Sequence, residues 1–218
     1  VADQNLGMIG AMGIVAAGLP IAAGAAFASN YLGEDKVAVS FFGDGAVHQG
    51  AWHEALEFAA LFSCPVIFVC ENNLYAESTA VDYHLLAGTV SAMAGPYRIP
   101  TIEVDGMDVL AVREATARAL HHARSGAGPV LIEAMTYRYG GQFEGDSQTY
   151  KPPVEVAYWR SRDPLPAFRK RAAEFGLSSE RLDTIENTAR DEVAQAFAHA
   201  SAAKWPSLDA MATDVYTK

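Results

Sequence analysis

Two apolar runs that each stop at a polar turn constrain this chain most. Val37-Ala38-Val39-Ser40-Phe41-Phe42 leads into Gly43-Asp44-Gly45, and Pro65-Val66-Ile67-Phe68-Val69-Cys70 leads into Glu71-Asn72-Asn73-Leu74-Tyr75. Continuous apolar runs rich in β-branched and aromatic residues read as strands of a parallel sheet covered on both faces. Between them, residues 49–62 place Ala51, Ala55, Leu56, Phe58, Ala59 and Phe62 at helical spacing. The alternation continues on either side. A helix of small residues over 20–32 is closed by Gly33, and further helices are predicted over 83–94 and Val109–Arg124. Strands are predicted over 102–104 and 130–137. This order predicts an α/β fold with a doubly wound, mainly parallel sheet, helices on both faces and ligands outside the carboxyl ends of the strands.

The character changes after residue 150. Lys151-Pro152-Pro153 reads as a break, followed by short amphipathic helices over 156–161 and 164–175 and a longer one over 179–203, with Ser178 or Ser179 as its N-cap. The expected organisation is an α/β domain over 1–150, N-terminally incomplete, and a C-terminal helical extension over 151–218.

Composition excludes several classes of function. A formal net charge of −10 provides no basic stripe for a nucleic-acid backbone. Residues 6–28 carry no charge, which is long enough to span a bilayer, yet Gly7, Gly10, Gly13, Gly18, Gly24 and Pro20 interrupt them. No flanking Lys/Arg or Trp/Tyr marks both interfaces, so a buried loop and helix is the expectation. Cys64 and Cys70 match neither a zinc spacing nor a disulfide framework, which points to a reducing compartment.

The chemistry lies in the two turns. Asp44 and Asn73 are 29 residues apart, each directly after a strand. Their hard oxygens are of the kind Mg²⁺ prefers, an ion that keeps open positions for phosphate. The glycines beside Asp44 let the backbone approach a diphosphate closely. Each turn alone also reads as ordinary strand-end chemistry, with Asp44 as a cap and Glu-Asn-Asn as a turn. Their pairing favours a diphosphate-plus-magnesium site, with the carbonyl of Tyr75 as a candidate third ligand.

The pairing resembles the thiamine diphosphate motif of Gly-Asp-Gly followed by Asn-Asn. The whole chain resembles the α subunit of the thiamine diphosphate-dependent E1 component of 2-oxo acid and acetoin dehydrogenase complexes. The matching pieces are Gly13-Ile14-Val15-Ala16-Ala17-Gly18-Leu19-Pro20, the Gly-Asp-Gly…Glu-Asn-Asn-Leu-Tyr pair, Val104-Asp105-Gly106-Met107-Asp108, Pro129-Val130-Leu131-Ile132-Glu133 and Thr136-Tyr137-Arg138-Tyr139. The run Phe143-Glu144-Gly145-Asp146-Ser147-Gln148-Thr149-Tyr150 is closer to the acetoin-type members. It tilts the expected compartment to the bacterial cytoplasm rather than the mitochondrial matrix.

The resemblance implies a thiamine diphosphate-binding fold and a role for each matching residue. Asp44 and Asn73 would hold Mg²⁺ with the Tyr75 carbonyl, and Gly43, Gly45 and Ala46 would line the diphosphate. Gly13 and Val15 would meet the aminopyrimidine. Arg138 would pair with the diphosphate, its alternative being a surface salt bridge. It also implies a β subunit in an α2β2 assembly, which supplies the glutamate that activates the cofactor, and a lipoyl-bearing E2 that receives the acyl group.

Two departures stand out. Where relatives carry a histidine after Tyr-Arg-Tyr, this chain has Gly140-Gly141-Gln142. Gln142 hydrogen-bonds but exchanges no proton near neutral pH. His48 stands where relatives carry asparagine; it is either a substrate-facing proton carrier or, the favoured reading, a helix-start residue with a hydrogen-bonding role. Family members also have upstream residues, including a Gly-Ser-Met-His run and a Tyr-Arg pair for the diphosphate. The leading functional expectation is an E1 α subunit acting on acetoin or a 2-oxo acid. The alternatives are a catalytically silent α homologue that partners a β chain, motivated by Gln142, and a split transketolase-like subunit.

Overall fold

The structure is a computed structural model and describes residues 2–212; Val1 and the last six residues of the expected C-terminal extension lie outside the described residues. In chain order its elements are α1 (Gly18–Leu32), β1 (Ala38–Gly43), α2 (Gly50–Leu61), β2 (Val66–Asn72), β3 (Tyr75–Ala76), β4 (Thr79–Ala80), α3 (Val81–His84), α4 (Val90–Ala94), β5 (Thr101–Asp105), α5 (Val109–Arg124), β6 (Val130–Met135), α6 (Pro153–Ser161), α7 (Pro164–Arg171) and α8 (Ser179–Ala202). The chain divides into two compact units between Ala167 and Phe168, within α7.

The first unit is built on a four-stranded parallel sheet in the order β1-β2-β6-β5. Alternation along β2 divides the core between its two faces. Val66, Phe68 and Cys70 pack with Leu19, Ala22, Ala23 and Ala26 of α1 and Trp52, Ala55, Leu56 and Ala59 of α2. Ile67 and Val69 face the other way, with Val130 and Ile132 of β6 and Ala119 of α5. The small residues of α1 permit close packing, and Gly33 ends the helix in the left-handed conformation at φ 69°. Among the described residues no helix is long and apolar enough to cross a membrane.

β1 departs from the expectation of cover on both faces. It is an edge strand: Phe42 is buried with α1 and α2, whereas Phe41 is 67% exposed on the opposite face. α5 packs over β5, β6 and β2 on that side.

The helix predicted over 83–94 is broken in two. Leu85 leaves helical geometry (φ −104°, ψ 79°), Gly88 takes a left-handed φ of 82°, and the Thr89 side chain caps a new helix by accepting from the Ala92 N–H. A glycine at positive φ followed by an ST cap outweighs the apolar periodicity there. The first unit also runs past residue 150. The hydroxyls of Tyr75 and Tyr137 both donate to Glu155 of α6, at 2.7 and 2.8 Å, and Trp159 stacks on Tyr137.

In the second unit, Gly176 at φ 70° turns the chain and the Ser178 hydroxyl caps α8 through the Arg181 N–H. Arg169 pairs with Asp183 and Glu186, Arg190 pairs with Glu186, and Phe168 stacks on Phe175.

Candidate cofactor and metal site

The parallel register delivers the two polar turns to one sheet edge. Gly43 lies opposite Glu71 and Asn72 opposite Met135, so Asp44 and Asn73 follow the carboxyl ends of neighbouring strands. The Asn73 N–H donates to Asp44 Oδ1 at 3.2 Å across those 29 residues. Asp44 is fully buried and starts a 3-10 turn, Asp44–His48, that feeds α2. A carboxylate is favoured at such a helical start.

Two overlapping Asx turns shape the Asn72–Tyr75 loop. Asn72 Oδ1 accepts from the Leu74 N–H at 3.3 Å, and Asn73 Oδ1 accepts from the Tyr75 N–H at 3.2 Å. They hold Leu74 at φ 73°, a left-handed conformation that a branched side chain rarely adopts. Behind the loop lies a feature the sequence reading missed. Glu133 of β6 is fully buried and accepts from Asn72 Nδ2 at 2.8 Å and from the N–H groups of Val90 and Ser91 at 3.0 and 2.8 Å. It ties the loop and the start of α4 to the sheet. Burial, reinforced by the Glu133 charge, pushes the neighbouring Cys70 thiol well up, and both cysteines are free and buried. A thiol so placed is inert.

The backbone beside Asp44 is packed tightly. A Cβ on Gly45 would lie 2.7 Å from that of Ala76, whereas one on Gly43 would meet Asn73 Nδ2 at 3.8 Å, an ordinary contact. Ala46 is buried in the core. Glycine is therefore required at 45 for the two turns to meet.

Arg138 closes the site on the far side. Its guanidinium donates to the carbonyls of Tyr75 (3.5 Å) and Glu77, to Gln142 Oε1 (2.5 Å) and to the Tyr150 hydroxyl (3.0 Å). Its buried Nε has no partner. Every acceptor is neutral, and among the described residues no carboxylate forms an ion pair with Arg138. The alternative of a surface salt bridge is thus not what the structure shows.

The loop that carries Arg138 and Gln142 is organised by two residues outside the sequence reading of the site. Lys151, read there only as part of a break, is 6% exposed; it donates to the carbonyls of Arg138 (2.6 Å) and Gly140 (2.5 Å) and sits over the rings of Tyr75, Tyr137 and Tyr150. Burial, with Arg138 nearby, lowers its pKa. Burial and the hydrogen bond to Glu155 push Tyr75 up to about 12. Asp146 accepts from the Gln142 N–H, the Gln148 N–H and the Tyr150 hydroxyl at 2.7–2.9 Å. The Tyr150 hydroxyl, then these two N–H groups, lower its pKa from 3.8 to about 2. Its contribution to loop order is accordingly complete above about pH 3.8 and is lost as pH falls through about 2. Acid titration followed by near-UV circular dichroism should show a tyrosine transition in that window, absent from Asp146→Asn.

The site residues named from sequence thus divide. Asp44, Asn73, Tyr75, Arg138 and Gln142 form one hydrogen-bonded group with Gly43 and Gly45 alongside, and His48 joins it through His84, which the sequence reading passed over. Gly13 and Val15 lie on an exposed segment before α1, and no hydrogen bond or ring contact among the described residues links them to the group.

The donor set fits a magnesium diphosphate. No group of three or more His, Cys, Asp or Glu side chains converges among the described residues. The oxygens available instead are one carboxylate, one amide oxygen and one carbonyl on residues joined by hydrogen bonds, with a guanidinium that carries no ion pair and is suited to phosphate.

The family described as "Dehydrogenase E1 component" matches residues 1–209. The α subunit of acetoin:2,6-dichlorophenolindophenol oxidoreductase is 40% identical in Bacillus subtilis and 41% in Cupriavidus necator, each over 99% of this chain and over 65% and 66% of those proteins. The human mitochondrial pyruvate dehydrogenase E1 component subunit alpha, somatic form, is 40% identical over 95% of this chain and 54% of its own length. The chain therefore spans less than two thirds of the length of these relatives. With the profile covering nearly every residue, both polar turns included, the chain belongs to the dehydrogenase E1 component family.

Proposed function

We propose that this chain is the α-type subunit of a thiamine diphosphate-dependent dehydrogenase E1, cleaving acetoin or decarboxylating a 2-oxo acid. The contact between Asp44 and Asn73 across two neighbouring strand ends carries this reading. In it, Asp44, Asn73 and the Tyr75 carbonyl hold Mg²⁺, while Gly43, Gly45 and Ala46 give the diphosphate close backbone approach. Arg138 exchanges its neutral acceptors for phosphate oxygens. Gly13 and Val15 meet the aminopyrimidine. When bound, thiamine diphosphate supplies the electron sink for carbon–carbon bond cleavage, and the protein supplies position and exclusion of water.

Completion by a β subunit, an α2β2 assembly, transfer to a lipoyl-bearing E2 and a bacterial cytoplasmic setting belong to the same proposal. The acetoin-type relatives favour acetoin among the substrates. One observation supports a second reading, a catalytically silent partner of a β chain. Gln142 is committed to loop structure, with its carbonyl on Arg138 and its N–H on Asp146.

Co-expression with a β partner and reduction of an artificial electron acceptor by acetoin, pyruvate or branched-chain 2-oxo acids separates the two. Turnover that requires both thiamine diphosphate and Mg²⁺ establishes the enzyme. Saturable cofactor binding without turnover favours the silent partner or a substrate outside this set, and no cofactor binding refutes the roles given to Asp44 and Asn73.

A further inference from the structure

Asp44 is the inner end of a hydrogen-bonded line that runs outward through two histidines. Its Oδ2 lies 3.1 Å from His84 Nε2, and His84 Nδ1 lies 3.0 Å from His48 Nε2. The two rings stand nearly perpendicular, at 83°. The Asp44 side chain is 0% exposed and that of His84 10%, while His48 is exposed. His84 is the last residue of α3, which starts at Val81.

With His84 neutral, donor and acceptor chemistry gives the line one direction. An ionised carboxylate only accepts, so His84 Nε2 carries the hydrogen. In the neutral ring Nδ1 is then a lone pair, and the nitrogen facing it, His48 Nε2, must donate. His48 therefore keeps Nδ1 as its acceptor.

We propose that His84 is a positioning residue for the metal site. It clamps Asp44 Oδ2, so that the ligand oxygen is Oδ1, which also accepts from the Asn73 N–H, and as a neutral ring it holds His48 as the Nε2–H tautomer. The proposal rests on the cofactor reading above for the metal, but not for the hydrogen-bonded line itself. A ring N–H that holds the second oxygen of a ligating carboxylate restricts the geometry offered to the ion, and loss of such an outer partner costs about 10–100-fold in metal affinity.

Two measurements test it on this chain. In ¹H–¹⁵N spectra of the unliganded protein, His84 and His48 should each show a solvent-protected ring proton on Nε2. The His48 signal should vanish in His84→Ala. Absence of both signals, or a proton on His84 Nδ1, would overturn the line. In calorimetric Mg²⁺ titrations at saturating thiamine diphosphate, His84→Ala should weaken Mg²⁺ by about 10–100-fold. His84→Gln, whose amide offers both a donor and an acceptor, should recover most of that loss. Wild-type affinity in His84→Ala would overturn the positioning role and leave the cofactor reading intact. A wild-type chain that takes up neither probe would refute the cofactor reading, and the ring protons would still test the line. If His84→Ala fails to fold, His48→Ala carries the test. The His84 ring proton should stay protected, and its loss would contradict the proposed direction.

Discussion

Replacing Asp44 by asparagine should weaken Mg²⁺-dependent thiamine diphosphate binding by more than about 100-fold, beyond the usual cost of losing a residue that only supports a metal ligand. Two things fail together. The anionic ligand is lost, and a carboxylate that accepts from two buried donors becomes an amide with only one accepting atom. The Asn73 N–H and the His84 ring N–H both need an acceptor at Asp44. One of them would meet the new amide NH₂ or no partner, at a cost of about 1–3 kcal/mol in stability. Calorimetry with and without Mg²⁺, alongside thermal unfolding, separates the two effects. Unchanged affinity with reduced stability would make Asp44 a structural residue only.

The second large effect is expected well away from any ligand atom. Glu133→Ala leaves three buried donors without an acceptor: Asn72 Nδ2 and the N–H groups of Val90 and Ser91. At about 1–3 kcal/mol for each orphaned group, reduced by relaxation, the loss should reach about 3–5 kcal/mol. For a chain of this size that is a fall of about 6–20 °C in Tm. Glu133→Gln keeps one carbonyl oxygen as an acceptor and should lose less. The Asn72–Tyr75 loop hangs from Glu133, so cofactor affinity should fall in Glu133→Ala even at temperatures where the chain remains folded. A melting point within 2 °C of wild type, less than about 1 kcal/mol, would show that water or repacking replaces the carboxylate.

What the sequence revealed followed from the range over which its signals act. Asp44 and Asn73 were legible because each sits directly after an apolar run, and strand ends of a parallel sheet gather on one edge whatever the long-range detail. Glu133 was not. It reads as one polar residue within the apolar stretch of β6, and its partners lie 42, 43 and 61 residues away. Lys151 was hidden beside two prolines, where charged residues are normally solvated, because its aromatic cage comes from three separate segments. His84 was hidden in the same way: in the helix expected over 83–94 it is one more polar position, and its partner Asp44 lies 40 residues away. β1 read as a doubly covered strand because its run is apolar throughout, and composition does not say which strand lies at the sheet edge.

A crystal structure with Mn²⁺ and thiamine diphosphate tests the central claim most directly, since the anomalous signal locates the metal. The expected result is one ion bound by the side-chain oxygens of Asp44 and Asn73 and the Tyr75 carbonyl, with Arg138 moved from that carbonyl onto the diphosphate. A metal held elsewhere, or a diphosphate bound away from Gly43 and Gly45 with Arg138 still on Tyr75, would contradict it.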